Sequence, residues 1–216
     1  MIDILFPRLH KEGYRFLAIA AVTTFILLLI SKFFGTISLL VTIWIYYFFR
    51  DPERFPLNDE NYLLSPADGI ISQIKEVSGP AELGLENKKF IRISIFMNVF
   101  DCHVNRSPSS GKINKIFYKS GKFFNASLEK SSEENERNYI QMLNTNGDDL
   151  VVVQIAGLIA RRIFCEINEN DEIKQGNKFG MIRFGSRVDL YFNNYQLMVN
   201  VKQKTIAGET ILAKKK

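Results

Sequence analysis

Phe90-Ile91-Arg92-Ile93-Ser94-Ile95-Phe96-Met97-Asn98-Val99 puts isoleucine, methionine or valine at every second position from Ile91. A period of two is the mark of a strand that buries one face. The texture recurs outward in both directions. Gly69 to Val77 alternates after a Pro-Ala-Asp-Gly turn, and Ile113 to Tyr118, Leu150 to Ile155 and Met181 to Phe184 are further short apolar runs between polar turns. Val199 to Ala213 reads as two strand-like pieces with Gly208 in the turn between them, and Ala156 to Phe164 fits a short helix or a strand. Glu129 to Asn138 is dense in charge and reads as a loop or a solvated helical turn. The expected fold class is α+β, mostly β, with one compact β-rich domain.

Upstream of these strands the texture changes. Residues 16–31 carry no charge, residues 33–49 carry none, and Lys32 stands alone between them. Each run is at the short end of what crosses a bilayer as a helix, and together they are too long for one crossing. They predict an apolar helical hairpin over residues 1–50, broken near Gly35 and Thr36, that either spans a membrane or lies in its interface. Arg8, Lys11 and Arg15 precede it and Arg50 follows it, a distribution that expects both ends on the cytoplasmic side. Arg50-Asp51-Pro52-Glu53-Arg54-Phe55-Pro56 then breaks the apolar run, so the folded domain is expected over residues 51–216.

The 216 residues are 46% apolar with a formal net charge of +5. That balance admits nucleic acid or an anionic membrane as partner, and the placement of the positive residues around apolar runs favours the membrane. Two cysteines, Cys102 and Cys165, cannot build a disulfide framework, and two histidines, His10 and His103, exclude a His-rich metal site; no metal is expected.

Three motifs carry chemistry. Phe179-Gly-Met-Ile-Arg-Phe-Gly185-Ser186-Arg-Val-Asp189 sets a Gly-Ser pair between two strand-like runs. Glycine before serine tolerates a strained backbone and leaves its carbonyl uncrowded for attack by the hydroxyl. Asp101-Cys102-His103-Val104-Asn105-Arg106-Ser107-Pro108 reads as a strand ending in histidine before a proline turn, which puts an imidazole at a rim where it exchanges protons. Ser65-Pro66-Ala67-Asp68-Gly69 reads as a Pro-x-Asp-Gly turn that carries a carboxylate.

These three segments, with Val153-Gln-Ile-Ala-Gly-Leu-Ile-Ala-Arg-Arg162, Ala207-Gly-Glu-Thr210 and the polar run from Phe124-Asn125 to Asn138, resemble a phosphatidylserine decarboxylase proenzyme of the short, membrane-associated bacterial type. The resemblance implies self-cleavage between Gly185 and Ser186 into a β chain, 1–185, and an α chain, 186–216, that stay associated. It implies a pyruvoyl group made from Ser186 as the cofactor. Through a Schiff base with that group, phosphatidylserine in the membrane would be decarboxylated to phosphatidylethanolamine. His103 and Asp68 are then the expected catalytic partners, with His103 as the acid that protonates the carbanion. Asn125 and Arg106 are expected at the substrate, and Arg161, Arg162, Arg183 and Arg187 are further candidates for its phosphate or carboxylate. The expected location is the cytoplasmic face of the bacterial cell membrane. A homo-oligomer is compatible with this reading and nucleic acid is not a partner. The sequence departs from the longer members of the family at Arg106, which stands where they carry a second histidine. That leaves the maturation base open between His103 and Asp68 acting through a water. The alternative from another class is a non-enzymatic membrane-tethered β-module, which would stay uncleaved.

Overall fold

A computed structural model describes residues 6–122, 134–157, 162–183 and 186–216 of the chain. It divides into two compact units, residues 1–53 and 54–216. In the first, β1 (Arg8–Leu9) and β2 (Arg50–Asp51) pair antiparallel around two helices, α1 (Tyr14–Ile30) and α2 (Lys32–Phe48). The helices fold back on each other at Ser31, whose backbone is extended. The break thus falls four residues before Gly35, where the sequence suggested it. Gly35 instead lies in the packing of the pair, where a Cβ would collide with Leu28. Thr24 Oγ1 bonds the hydroxyls of Ser38 and Thr42 at 2.7 and 2.8 Å, so the polar atoms of the two helices satisfy one another. Ile19, Phe25, Leu29, Ile30 and Phe33 remain exposed. Lys11–Ile30 is long and apolar enough to cross a membrane, and Lys32–Phe48 is a shorter apolar helix.

The second unit contains β3 (Tyr62–Leu64), β4 (Gly69–Ser78), β5 (Lys89–Met97), β6 (Val104–Arg106), β7 (Gly111–Lys119), β8 (Arg137–Asn144), β9 (Asp149–Ala156), β10 (Ile163–Cys165), β11 (Glu172–Ile173), β12 (Lys178–Ile182), β13 (Ser186–Phe192), β14 (Tyr195–Leu197), β15 (Lys204–Thr205) and β16 (Ile211–Lys215). Eight of these form one sheet in the order β11-β7-β8-β9-β13-β5-β4-β15, every pairing antiparallel. Two three-stranded sheets, β10-β12-β6 and β14-β16-β3, account for the other strands among the described residues of this unit. The chain is thus mostly β, with the helical pair ahead of a β-rich domain.

The alternation in β5 is explained by register. Ile93 lies opposite Leu190, Leu190 opposite Val152, and Val152 opposite Ile140, giving one apolar row across four strands. All four are buried in the main core. The next row towards one end reads Ile95, Val188, Gln154, Asn138, and the last reads Met97, Ser186, Ala156. The opposite face carries Tyr139, Val151, Val153 and Ile155 in a second, smaller core. Of the segment Glu129 to Asn138, read as a loop or a solvated helical turn, residues 129–133 lie outside the described residues, and the rest corrects that reading, since β8 begins at Arg137. Asn135, Glu136, Arg137 and Asn138 are all buried; Asn135 and Asn138 donate to Ala156 and Gln154 of β9, and Arg137 Nε donates to the Asn135 carbonyl. Arg187 and Asp189 pair with each other in the same way on the smaller-core face.

Candidate active site

Antiparallel strands alternate direction, so one end of the large sheet collects the starts of β4, β13 and β8 and the ends of β5, β9 and β7. Residues far apart in sequence meet there. Ser186 opens β13 between Met97 and Ala156, the last residues of β5 and β9. Gly69 opens β4 directly after Asp68, with Ile70 opposite Phe96. The loop that leaves Met97 leads to His103. Gly185, Asn125 and Arg161 lie outside the described residues, although Lys122 and Glu134, which flank the segment holding Asn125, are bonded to each other at this end.

Ser186 is wholly buried on the core face. Among the described residues its hydroxyl donates to Met97 Sδ at 3.3 Å. Across the strand, Asn135 Nδ2 donates to the Ala156 carbonyl at 2.7 Å, and Ala156 N donates to Glu136 O. The strand on that side of Ser186 is therefore held from two directions.

His103 differs from the expectation of a strand-end histidine at a rim. β5 stops at Met97 because the backbone turns at Asn98 to Asp101. The Asp101 carboxylate accepts from Asn98 N at 2.9 Å, and Asn98 Oδ1 accepts from Phe100 N at 2.8 Å. His103 follows this turn, just before β6, and is fully buried. Its Nδ1 lies 2.9 Å from the Asp101 carbonyl oxygen. A carbonyl only accepts, so Nδ1 carries the proton and Nε2 is the basic nitrogen. The His103 carbonyl accepts from Ile182 N, four residues ahead of Ser186.

Asp68 accepts at both carboxylate oxygens, from an Arg54 guanidinium nitrogen at 2.8 Å and from Ala207 N at 2.8 Å. It ties the turn before β4 to the Ala207-Gly208-Glu209-Thr210 segment, where Thr205 Oγ1 also donates to the Ala67 carbonyl. Gly69 is required here. Its φ is +151°, and a Cβ would collide with the Phe96 carbonyl oxygen. Arg106 donates to the Gly176 carbonyl at 3.0 Å and its backbone N to Pro66 O, which sets it beside the same turn. Of the other candidate arginines, Arg187 is buried and bidentate on Asp189, at 2.9 and 3.1 Å. That pairing corrects its expected role at a substrate anion. Burial pushes the Cys165 thiol up, so it is a thiol rather than a nucleophilic thiolate. Tyr118 is pushed up to about 12, first by burial and then by its hydrogen bond to Glu136.

The motifs leave a run of buried amides unnoticed. Asn138 Nδ2 donates to Gln154 Oε1 at 3.0 Å, Gln154 Nε2 to Asn105 Oδ1 at 2.9 Å, and Asn105 Nδ2 to Met97 Sδ at 3.9 Å. All three amides are buried. The available signal was Gln154 inside Val151-Val152-Val153-Gln154-Ile155. A polar side chain in a strand buried on both faces must find its partner within the fold.

Residues 41–213 match the family model for phosphatidylserine decarboxylase. The chain is 62% identical over 215 residues to a phosphatidylserine decarboxylase proenzyme of Pelagibacter ubique (strain HTCC1062), covering 100% of both chains. It is 50% identical over 214 residues to that of Ruegeria pomeroyi, with 99% of this chain and 98% of the relative covered. The proenzyme of Rickettsia typhi is 50% identical over 210 residues, covering 97% and 91%. Likeness at this level along the whole length, on a fold that gathers the expected site segments at one sheet end, settles the kinship: the chain belongs to the phosphatidylserine decarboxylase family.

Proposed function

We propose that this chain is a proenzyme that cuts itself between Gly185 and Ser186 and then decarboxylates phosphatidylserine to phosphatidylethanolamine. The convergence at one sheet end of Ser186, His103 and Asp68, which together span more than a hundred residues of sequence, is the observation that carries this reading.

Ser186 Oγ attacks the Gly185 carbonyl carbon, the C–N bond breaks, and the serine nitrogen takes the proton that the hydroxyl gives up. The result is an ester. Loss of the Ser186 Cα proton then breaks the Cβ–Oγ bond, and Gly185 leaves as a carboxylate. The enamine that remains tautomerises and adds water, releasing ammonia and leaving a pyruvoyl group at the new N-terminus. No outside oxidant or reductant is needed. With Nδ1 bonded to Asp101 O, His103 offers Nε2 as the base. Asp68, with both oxygens bonded to Arg54 and Ala207, serves instead to hold the turn beside β4. This arrangement favours His103 over Asp68 for the maturation base.

The surroundings of Ser186 fit a pyruvoyl group. Met97 and Ala156 flank it, both fully buried, and offer a dry wall to a methyl group. Such a group would supply a ketone for the substrate amine and an acceptor for the electron pair that carbon dioxide leaves behind. His103 supplies the proton that replaces the carboxyl, and Arg106 and Asn125 hold the headgroup. The cut leaves a C-terminal piece of 216 − 185 = 31 residues. That piece contains β13, an interior strand bonded on both edges, with β14, β15 and β16 paired to other strands. Backbone pairing keeps it in place without a covalent link. Residues 1–50 then serve as the membrane attachment and 51–216 as the catalytic domain, on the cytoplasmic face of the bacterial cell membrane.

The test is intact mass under denaturing conditions, with conversion of phosphatidylserine in vesicles measured on the same sample. The wild type should yield a 31-residue fragment with a blocked N-terminus, and carbon dioxide release. Ser186→Ala should give one full-length chain and no release. A wild-type chain that turns over substrate without being cut would overturn the mechanism, and an uncut, inactive one would favour the membrane-tethered β-module.

A further inference from the structure

Resting on the reading of Ser186 as the self-cleaving residue, we propose that Met97, steadied by Asn105, is a positioning residue for self-cleavage. Its thioether holds the Ser186 hydroxyl before the cut and becomes an apolar wall after it.

A buried serine hydroxyl needs an acceptor, because an unsatisfied one carries a desolvation penalty. In a sheet the ready acceptors are carbonyls and carboxylates, and either would bond the hydroxyl strongly. A strong ground-state bond must be given up as the oxygen attacks, which raises the barrier. The acceptor at Ser186 is Met97 Sδ at 3.3 Å, and thioether sulfur is a weak acceptor. It satisfies the hydroxyl at small cost to reactivity and is too weak a base to take its proton. That proton transfer stays with the base, so Met97 acts through the orientation of Oγ.

The placement is set by register rather than by side-chain reach. Met97 and Ser186 are directly opposite residues of β5 and β13 on the core face. Asn105, from β6 in another sheet, sends Nδ2 to the same sulfur at 3.9 Å, and its Oδ1 accepts from Gln154 Nε2 at 2.9 Å. Gln154 is in turn bonded by Asn138. A methionine has three rotatable bonds and would otherwise wander. Two donors on one sulfur, the second anchored by a buried amide chain, restrict that freedom.

The same side chain suits both sides of the reaction. Ser186 Oγ leaves with Gly185, and the serine Cβ becomes the pyruvoyl methyl. A carboxylate or amide placed to receive the hydroxyl would then face a methyl and lose its partner. A thioether packs against a methyl without penalty and keeps its contact with Asn105. Met97 should therefore matter more to maturation than to turnover.

The test is Met97→Leu in the full-length chain, followed by intact mass after synthesis is stopped. Volume is nearly conserved, so stability should change little. Cleavage should slow by about tenfold, because the unheld hydroxyl spends most of its time turned away from the carbonyl carbon it must attack. Hydroxylamine, which cuts the ester, should not restore cleavage, because the step that slows precedes the ester. In the cut fraction, kcat on phosphatidylserine vesicles should fall by less than the cleavage rate does, with the melting temperature close to wild type. Cleavage at the wild-type rate overturns the proposal. So does a parallel loss of cleavage, melting temperature and turnover in the cut fraction, since that is what a merely structural residue gives. If Met97→Leu does not fold, replacement of the methionines by norleucine keeps the chain shape and removes the sulfur, with the same expected slowing. A wild type that never cuts would instead refute the reading of Ser186 on which this rests.

Discussion

The two ends of the large sheet handle a buried hydroxyl in opposite ways. At the end where β13 begins, Ser186 donates to a thioether. At the end where β13 finishes, the Tyr195 hydroxyl donates to Asp148 Oδ2 at 3.2 Å and accepts from Asn144 Nδ2 at 2.8 Å. Asp148 also accepts from Asn194 Nδ2 at 3.0 Å and from Lys215 Nζ at 3.2 Å. One hydroxyl is given the weakest acceptor available and the other a carboxylate within a closed network. Bond strength here follows task. A group that must react is kept loosely satisfied, and a group that must hold is bonded as tightly as the fold allows. The network also crosses the proposed cut. Asn194, Tyr195 and Lys215 lie on the C-terminal side of it, and Asn144 and Asp148 on the other.

If the contrast is right, the reacting end depends on backbone geometry more than on polar bonds. Gly69→Ala should then do the most damage of any single change at either end. It places a side chain at φ +151° against the Phe96 carbonyl, one residue from the partner of Ser186. A loss of about 3 kcal/mol or more is expected in denaturant unfolding, with self-cleavage suppressed. Wild-type stability and cleavage in this variant would mean that the turn before β4 has no part in shaping the site.

The holding end is predicted to depend on charge. Burial pushes the Asp148 carboxyl up, but hydrogen bonds from Asn194, Lys215 and Tyr195 outweigh it, and the net pKa is lowered from 3.8. A depressed folded-state pKa stabilises the protein above the unfolded value, and that contribution disappears as pH falls through the folded value. Asp148→Asn should cost about 2 kcal/mol at neutral pH. The gap between variant and wild type should stay constant down to the unfolded carboxylate range and narrow below 3.8. Unfolding series at several pH values read this directly. A gap that is flat into strong acid would remove Asp148 as the charged anchor of this end.

How much of this was legible in the sequence follows from the same contrast. The alternation of Ile91 to Val99 announced a strand, and the Gly-Ser, His and Asp motifs named residues that the fold brings to one end. Periodicity reports which face a residue takes within its own strand, and that much was readable. It does not report what lies opposite, because strand order is set by packing across the whole sheet. The Met97–Ser186 pairing, the burial of His103 and the amide chain through Gln154 all depend on that order. Residues 135–138 misled for a related reason. Charge density suggested solvent, whereas Arg137 and Asn138 begin an interior strand, where Asn138 bonds Gln154 across the strands and Arg137 bonds the Asn135 carbonyl just before it. Asp148 and Tyr195 carried no local signal at all, since their meeting depends on two turns 47 residues apart.

The smallest effect sharpens the comparison most, because distance alone would rank it first. Lys88 Nζ lies 2.5 Å from Asp149 Oδ2, a shorter contact than Asp148 makes with either Tyr195 or Lys215. It is found at the same end of the sheet, one residue along from the Asp148 network. Yet the Lys88 side chain is 53% exposed and the Asp148 side chain 8%. Water competes for an exposed ammonium and salt screens it, so the pair is expected to contribute no more than about 0.5 kcal/mol. Asp149 keeps a hydrogen bond from Gln141 Nε2 when the lysine is removed, so no buried acceptor is stranded. Lys88→Ala should leave the unfolding midpoint within error of wild type, with whatever remains vanishing in high salt. A loss comparable to that of Asp148→Asn, persisting in salt, would show that the far end holds through its ion pairs wherever they lie. The distinction between buried and exposed anchors would then fail.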